Sequence, residues 1–309
     1  MTQAAPLPKP ITEDSPKAHT AQPTRLRDYL ELSKLRITLM VVLTSWVGYA
    51  LALHMDQWNA LAIIGLTLGV GLTCISSGIL NQVWERTPDA RMNRTAHRPI
   101  AAGRISITEG ITLGVLTGTL GTLTLFLLTT PLAAWLALAT LLVYVLIYTP
   151  LKALTPWATH IGAIPGAMPP FIGYAAAAGI LSAEAWPAFL IMLIWQIPHF
   201  MAIAWLYRNQ YAAAGLRMLP VVDAKGRQVA AHVVVTALLL IAAAAMPLFG
   251  AYGTAGWVYA IIALGTTLAF AAASIWFALR PCDRRARVVF IASLLYLPIV
   301  LSALAWDRL

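Results

Sequence analysis

The chain has 309 residues, of which 60% are hydrophobic and 11% are charged, and its mean hydropathy is +0.75. Soluble domains carry about 25% charged residues, so this composition excludes a soluble enzyme and indicates an integral membrane protein. The net charge of +9 comes from basic residues spread along the chain rather than gathered in one basic domain, which argues against a nucleic-acid partner.

The N-terminal segment differs in composition from the rest of the chain. Residues 1–24 are rich in Pro, Ala and Thr and contain no apolar run of the kind found in a secretory signal. We expect a disordered cytosolic tail here, followed by a transmembrane domain over residues 25–309.

Apolar runs long enough to cross a bilayer as helices, about 17 to 25 residues each, follow the tail. The predicted spans are residues 37–53, 60–80, 110–128, 132–148, 160–179, 186–206, 229–249, 257–279 and 288–305. With the N-terminus in the cytoplasm, 20 of the 21 Lys and Arg residues fall on the inner side, and only Arg308 falls outside. The sequence therefore predicts an all-α bundle of about nine transmembrane helices around a central cavity, with a cytoplasmic N-terminus.

The exit from the second span concentrates oxygen-bearing side chains. Asn81, Glu85 and Asp89 are spaced i, i+4 and i+8, which places them along one face of a helix. Carboxamide and carboxylate oxygens suit Mg²⁺, and acidic residues near a bilayer tend to be functional. Pro88 predicts a kink or a new helix start beside Asp89. The alternative interpretation is a helix-end cluster of solvated charges paired with arginines.

Basic residues that could hold a phosphate follow this motif. Arg94 and Arg98 have guanidinium groups that grip phosphate bidentately, although cytoplasmic loops also collect arginine for topological reasons. Lys152, the one basic residue after the fourth span, is either a topology marker or a phosphate ligand. Arg208 begins the polar connection after the sixth span, which has no carboxylate before Asp223.

Two apolar spans contain unusual residues. Residues 164–170 include three prolines, and we expect them to form a cavity wall rather than a simple kink, because broken backbone at membrane depth needs a cavity or a protein neighbour. His199, between Pro198 and Phe200, is an ionisable group within a span and so a candidate site residue. A histidine hydrogen-bonded to a neighbouring helix is the alternative. Three further histidines near span ends are interpreted as interfacial: His54, His160 and His232.

Taken in order, these motifs resemble those of the UbiA-type intramembrane prenyltransferases, in particular the branch that farnesylates protoheme IX. The resemblance covers residues 25–222 by motif and the remainder by helix pattern. The matching segments are residues 28–34, 81–99, 148–152, 166–170, 198–200, 214–215 and 218–221.

The chain departs from the family pattern at three places. Leu35 stands where the family usually has Pro after the first-helix Lys, and Glu85 stands where Asp is common. Asn209 and Gln210 replace an acidic residue or pair in the connection after the sixth span. Neutral amides bind Mg²⁺ more weakly than carboxylates, so these two replacements weaken the case for a second metal site.

The resemblance implies a UbiA-type bundle in the cell inner membrane, with its active site facing the cytoplasm. The implied activity transfers a farnesyl group from farnesyl diphosphate to the vinyl group of protoheme IX. Mg²⁺ is the implied cofactor, heme is a substrate, and membrane lipid and a heme A synthase or oxidase assembly protein are the implied partners. The implied roles are catalytic and metal-binding for Asn81, Glu85 and Asp89, catalytic for His199, and diphosphate-binding for Arg94, Arg98, Lys152 and Arg208.

The sequence alone is compatible with two other functions. The same fold could prenylate an aromatic or quinone-precursor acceptor such as 4-hydroxybenzoate. A nine-helix transporter or a catalytically silent assembly factor is the other alternative, because Asn209 and Gln210 remove acidic groups from the site. A silent protein would not release diphosphate from farnesyl diphosphate in the presence of Mg²⁺, and competition between acceptors separates the two enzymatic functions.

Overall fold

The computed structural model describes residues 24–54, 57–253 and 255–307. The predicted tail lies outside these ranges except for its last residue, Thr24. Within these ranges the chain is helical, without β-strands, and nine helical stretches are long and apolar enough to cross a membrane. The predicted all-α, nine-span fold is therefore confirmed for the described part of the chain, which is a multi-pass membrane protein.

The helices fall into an N-terminal and a C-terminal set. The N-terminal set consists of α1 (Arg25–Leu32), α2 (Leu35–Ala52), α3 (Ala60–Trp84), α4 (Arg86–Ala90), α5 (Ile107–Leu128), α6 (Pro131–Leu142), α7 (Thr149–Leu154), α8 (Ala158–Ala167) and α9 (Pro169–Ala178). The C-terminal set consists of α10 (Trp186–Leu206), α11 (Arg208–Ala213), α12 (Leu219–Val222), α13 (Arg227–Ala245), α14 (Trp257–Leu279) and α15 (Asp283–Trp306). Shorter turns are π-helical at Val143–Tyr148 and 3₁₀-helical at Ala183–Ala185, Met246–Leu248 and Gly250–Tyr252.

Polar side chains cap the starts of several spans. The Asn59 side chain accepts hydrogen bonds from two backbone N–H groups in the first turn of α3. Ser106 and Thr130 each accept one such hydrogen bond at the start of α5 and α6. Pro131 occupies the first position of α6, where its missing N–H is no loss. These caps explain why the helices begin where the apolar runs begin.

Helices α2 and α9 approach each other so closely that only glycine fits between them. A Cβ atom on Gly173 would overlap the backbone carbonyl oxygen of Ser45, and one on Gly48 would overlap that of Pro170. Small residues at such crossings allow tight packing in membranes, where lipid is as apolar as the helix surface. The α2–α9 contact therefore depends on two glycines.

We expect Gly173→Ala to lower the unfolding temperature in detergent, because the new methyl group must push the α2 backbone away. Overpacking of this kind costs about 1–3 kcal/mol. Gly265→Ala in α14 is the matched control, since no atom outside its own helix lies within 4 Å of the added carbon. Thermal unfolding followed by circular dichroism measures both variants. Equal midpoints for the two would contradict the account of this helix contact.

Residues 164–170 do not form the expected wall of the cavity. Helix α8 ends at Ala167, α9 starts at Pro169, and Met168 between them keeps helical dihedrals of φ −68° and ψ −26°. The cavity described below is not lined by these residues. The segment is a kink buried in protein, because Gly166 packs against the side chain of Gln196 in α10.

The fourth span runs further than the sequence predicts. After α6 the helix widens into the π-helical turn Val143–Tyr148 and continues as α7. The Thr149 hydroxyl donates to the Tyr144 carbonyl five residues earlier at 2.8 Å. π-Helical turns occur frequently at functional sites, and this one carries Tyr148 and, through α7, Lys152 to one end of the bundle.

Candidate active site

A cavity of about 240 Å³ lies at the end of the bundle where α3 and α10 end. Its polar lining residues are Lys34, Asn81, Glu85, Asp89, Arg94, Thr95, Arg98, Tyr144, Tyr148, Lys152, Thr159 and Tyr211. Its apolar lining residues are Met92, Phe200, Ile203, Ala204, Leu216 and Met218. Both sets of helices thus contribute to one partly polar, partly apolar chamber.

The structure brings most of the predicted site residues to this cavity. Those that line it are Asn81, Glu85, Asp89, Arg94, Arg98 and Lys152. The two predicted residues outside the lining are His199 and Arg208.

His199 and Arg208 both pair with α15 instead. The Nδ1 atom of His199 lies 2.7 Å from Ser293 Oγ, and its ring stacks on Trp195 with centroids 4.9 Å apart. Arg208 Nη1 donates to Asp283 Oδ1 at 2.7 Å. His199 is therefore held between two helices, and Arg208 ties the end of α10 to the start of α15.

Three buried, oxygen-bearing side chains form one wall of the cavity. Asn81 and Glu85 lie one helical turn apart at the end of α3, and Asp89 follows in α4; their exposed fractions are 2%, 9% and 0%. Glu85 leaves the helical conformation with φ −89° and ψ 9°, and α4 begins at the next residue. The helix start expected from Pro88 is thus present, because a proline fits the first turn of the new helix.

Each carboxylate in this wall faces a cation. Lys152 Nζ and Glu85 Oε1 form an ion pair at 2.7 Å. Apart from this ion pair, Glu85 Oε1 has no hydrogen bond of standard geometry among the described residues. Arg98 Nη1 donates to Asp89 Oδ2 at 2.7 Å. The other oxygen of Asp89, Oδ1, is buried with no hydrogen-bond partner in the described part of the chain. Asp89 therefore keeps one carboxylate oxygen available for a ligand.

The pKa values of Glu85 and Asp89 are shifted in opposite directions. Burial raises the pKa of a carboxyl group because the charged form loses hydration. At Glu85 the positive charge of Lys152, with that of two further cations, outweighs burial and holds the pKa below its usual value. At Asp89 burial outweighs the attraction of Arg98, and the pKa is raised. An additional cation beside Asp89 would favour its charged form.

Arg94 joins the two loops that flank the cavity. Its Nη2 donates to the Tyr211 hydroxyl at 2.9 Å, and its guanidinium lies 4.7 Å from the centroid of the Tyr207 ring. The backbone N–H of Arg94 donates to Gln210 Oε1 at 3.4 Å. Helix α11 thus presents a neutral amide and a hydroxyl beside the cavity, and the positive charge on this side comes from Arg94.

Lys34 is a cavity residue that no sequence pattern singled out. Lys34 precedes α2 with φ 46° and ψ 46°, and among the described residues no other non-glycine residue has a positive φ. Its Nζ lies 3.5 Å from Asn81 Oδ1, inside the cavity. Strained backbone of this kind clusters at functional sites. The available signal was its place in the matching segment 28–34, to which no role was assigned.

Two tyrosines of the π-helical turn were missed as well. Tyr144 and Tyr148 line the cavity, and Lys152 Nζ lies 4.6 Å from the centroid of the Tyr148 ring. Such a cation–π contact adds attraction to the ion pair that Lys152 makes with Glu85. No sequence signal marks a π-helical turn. Tyr148 begins the matching segment 148–152, in which a role was assigned only to Lys152, whereas Tyr144 could be found only from the structure.

The charges and ligand atoms of the cavity fit a metal-bound diphosphate. The lining carries four cationic side chains and two carboxylates, an excess of positive charge that attracts a polyanion. The described residues contain no group of three or more His, Cys, Asp and Glu arranged for a metal. A metal here would rely on Glu85, Asp89 and the amide of Asn81. Hard oxygen atoms of this kind suit Mg²⁺, which fills its other positions with water and substrate phosphates.

Comparison of sequences gives consistent matches over most of the chain. A sequence model of the UbiA prenyltransferase family matches residues 41–297. The protoheme IX farnesyltransferase of Solibacter usitatus is 40% identical over 291 residues, which cover 92% of this chain and 99% of that protein. The mitochondrial protoheme IX farnesyltransferase of Arabidopsis thaliana is 38% identical, over 91% of this chain and 65% of that protein.

Solved structures with low sequence identity share the fold. A UbiA homologue from Aeropyrum pernix K1 superposes with a TM-score of 0.70 at 20% identity, covering 89% of this chain and 98% of that chain. A UbiA homologue from Archaeoglobus fulgidus bound to GPP and Mg²⁺ superposes with a TM-score of 0.56 at 16% identity, over 90% and 99% of the two chains.

Proposed function

The chain belongs to the UbiA prenyltransferase family, and from this we propose that it transfers a farnesyl group from farnesyl diphosphate to the vinyl group of protoheme IX. The products are heme O and diphosphate. The observation that carries the proposal is the cavity at one end of a membrane bundle, where Asn81, Glu85 and Asp89 face cationic side chains. The names of relatives at about 40% identity over nearly the whole chain support heme as the acceptor.

Asn81, Glu85 and Asp89 are the residues that would hold Mg²⁺ in this proposal. Bound there, the ion supplies positive charge to the oxygens of the leaving diphosphate. Asp89 Oδ1 supports this assignment because it is buried and has no hydrogen-bond partner among the described residues. A related protein of the same fold binds GPP together with Mg²⁺.

Four side chains of this protein position and neutralise the diphosphate. Arg94, Arg98, Lys34 and Lys152 line the same cavity. Cations that are already in place when charge develops on a leaving group stabilise the transition state without reorganisation. The C–O bond of farnesyl diphosphate breaks, diphosphate takes the electron pair, and an allylic cation is left on the farnesyl group.

The apolar side of the cavity protects that cation. Phe200, Ile203 and Met218 line it together with other apolar side chains, and exclusion of water prevents premature hydrolysis of a reactive intermediate. The terminal vinyl carbon of protoheme attacks the farnesyl cation and forms the new C–C bond. Water then adds to the resulting cation beside the porphyrin and releases a proton, which gives the hydroxyethyl group.

The orientation in the membrane is part of the proposal. Of the 21 Lys and Arg residues, 20 lie on the side that carries the N-terminus if the chain crosses nine times, and positive residues favour the cytoplasmic side. We therefore place the protein in the cell inner membrane with the cavity open to the cytoplasm. An enzyme or assembly protein that accepts heme O would meet it there.

Acceptor competition tests the proposed function. Purified protein receives Mg²⁺, farnesyl diphosphate, protoheme IX and 4-hydroxybenzoate together, and mass spectrometry identifies the products. The proposal predicts heme O and diphosphate, and loss of both when Mg²⁺ is removed. Prenylated 4-hydroxybenzoate without heme O would assign a different acceptor, and absence of diphosphate release would indicate a silent protein.

Replacement of Arg94 tests the basic side of the cavity. We expect Arg94→Ala to raise the KM for farnesyl diphosphate about tenfold, since it removes a cation from the lining and the link to Tyr211. Arg91→Ala is the matched control, because Arg91 is exposed in the same loop and does not line the cavity. Steady-state kinetics with varied farnesyl diphosphate measures both, and equal KM values would contradict a diphosphate role for Arg94.

His199 stays a prediction from the sequence, now with a defined structural context. Its ring is held by Ser293 and Trp195 next to the lining residue Phe200. If it orients protoheme, His199→Ala should raise the KM for protoheme about tenfold and leave the KM for farnesyl diphosphate unchanged. Varying each substrate separately measures the two values. Wild-type kinetics would remove His199 from the mechanism.

A further inference from the structure

Three aromatic rings form a cluster that the proposed reaction does not use. Trp157 precedes α8, His160 lies in its first turn, and His232 lies in α13. The two histidine ring centroids are 4.9 Å apart, and the Trp157 ring lies 5.2 Å and 5.4 Å from them. Neither histidine lines the cavity, although Thr159, next to His160, does. The cluster is therefore a separate feature at the same end of the bundle.

His160 is the unusual member of the cluster. Both of its ring nitrogens are buried, and neither has a hydrogen-bond partner among the described residues. A buried polar group without a partner is destabilising, because it has lost its hydrogen bonds to water. Such groups in native proteins call for an explanation, and an ion or water bound between them is a common one.

The hydrogen bond of His232 leaves one of its ring nitrogens with a lone pair. Its Nδ1 lies 2.7 Å from the backbone carbonyl oxygen of Gln228. Because a carbonyl oxygen only accepts, Nδ1 must carry the hydrogen in this contact, and Nε2 of the neutral ring is left as an acceptor. Metal-binding histidines are typically fixed in this way by a hydrogen bond from the other ring nitrogen.

The spacing of the rings agrees with two ligands of one ion. With metal–nitrogen bonds of about 2.0–2.1 Å and a tetrahedral angle, the centroids of two coordinated imidazoles lie roughly 5 Å apart. Two imidazoles bound on opposite sides of a heme iron, at similar bond lengths, would have their ring centroids more than about 6 Å apart. The separation of 4.9 Å between His160 and His232 is shorter than that. Packing of aromatic rings also produces centroid separations of about 5 Å, but packing alone leaves both nitrogens of His160 uncompensated.

We propose that His160 and His232 together form a binding site for a divalent transition-metal ion such as Zn²⁺, Cu²⁺ or Ni²⁺. Imidazole suits these ions, whereas carboxylate and amide oxygens suit Mg²⁺, so this site is chemically distinct from the cavity. The described residues add no third His, Cys, Asp or Glu to the pair. Two protein ligands leave positions for water or for an external ligand, and the ion should therefore exchange.

Zinc titration of the full-length protein, purified without a polyhistidine tag, tests this proposal. Excess Mg²⁺ and a non-reactive farnesyl thiolodiphosphate are present throughout, so that the cavity does not take up Zn²⁺. Isothermal titration calorimetry is expected to show one Zn²⁺ per chain. His160→Ala and His232→Ala should each weaken binding at least tenfold, about 1.4 kcal/mol. His54→Ala, in the connection between α2 and α3, is the matched control and should bind like the wild type.

A spectroscopic measurement keeps the test valid if a variant is poorly folded. Cu²⁺ bound to the wild-type protein should give an electron paramagnetic resonance spectrum with hyperfine splitting from two imidazole nitrogens. Thermal unfolding of each variant, measured without metal, reports its folding. Zinc affinity equal in the wild type and a folded His160→Ala/His232→Ala double variant would overturn the proposal, as would a wild-type Cu²⁺ spectrum without nitrogen splitting.

Discussion

Replacing Asp89 by Asn is expected to lower Mg²⁺-dependent farnesyl transfer about 100-fold, which corresponds to about 2.7 kcal/mol of barrier. Asp89 is fully buried, and its Oδ1 has no hydrogen-bond partner among the described residues. A neutral amide oxygen of the same size binds Mg²⁺ more weakly. Glu85→Gln should slow product formation at least tenfold for the same reason, about 1.4 kcal/mol.

Glu109→Gln is the control for these two variants. Glu109 lies in α5 outside the cavity, where it pairs with Arg25 at 2.9 Å. Product formation is followed at several Mg²⁺ concentrations, and thermal unfolding confirms that each variant is folded. Higher Mg²⁺ should partly restore Asp89→Asn, because the defect lies in metal affinity. Unchanged turnover in a folded Asp89→Asn protein would move the metal site elsewhere.

Replacing Lys152 by Met should reduce kcat/KM for farnesyl diphosphate about 100-fold, about 2.7 kcal/mol. The substitution removes one of the four cations of the lining and leaves the buried carboxylate of Glu85 without its nearest positive charge. Removal of one partner from a buried ion pair is costly because the other charge stays buried and uncompensated. Lys225→Met is the control, since Lys225 is exposed and outside the cavity.

A double-mutant cycle separates the role of Lys152 toward substrate from its role toward Glu85. The combined variant Glu85→Gln/Lys152→Met should lose less activity than the two single effects added together, because residues in contact couple. Additive losses would show that Lys152 acts on the diphosphate independently of Glu85. Wild-type kcat/KM in Lys152→Met would contradict both roles.

The membrane architecture could be predicted because a bilayer sets a minimum apolar length. The predicted spans 186–206 and 257–279 coincide with α10 and α14. The fourth prediction ended at residue 148, whereas the helical stretch continues to Leu154 through the π-helical turn. Hydropathy falls at Thr149, Pro150 and Lys152, and only the structure shows that the helix continues through them and brings Lys152 to the cavity.

The candidate site was predictable where its residues follow each other along the chain. The spacing of Asn81, Glu85 and Asp89 predicted one shared helix face, and the structure brings them to one cavity although α3 ends before Glu85 and Asp89 lies in α4. The positions of His199 and Arg208 depend on Ser293 and Asp283, which lie 94 and 75 residues further along. Pairing over such distances leaves no local pattern, and the sequence could not assign these two residues to α15.

Lys34 shows a different limit of prediction. Its left-handed backbone conformation at the start of α2 turns the side chain toward Asn81. A non-glycine residue rarely adopts this conformation, and no residue type in segment 28–34 predicts it. Lys34 is therefore a cationic lining residue of the cavity that the motif alone did not identify.

The most direct measurement is a structure of the protein in lipid with Mn²⁺ and farnesyl thiolodiphosphate, with anomalous scattering used to locate the metal. The proposed function predicts manganese between Asn81, Glu85 and Asp89, with diphosphate oxygens directed at Arg94, Arg98 and Lys152. Manganese or diphosphate bound outside this cavity, with the three side chains unligated, would contradict the proposed function.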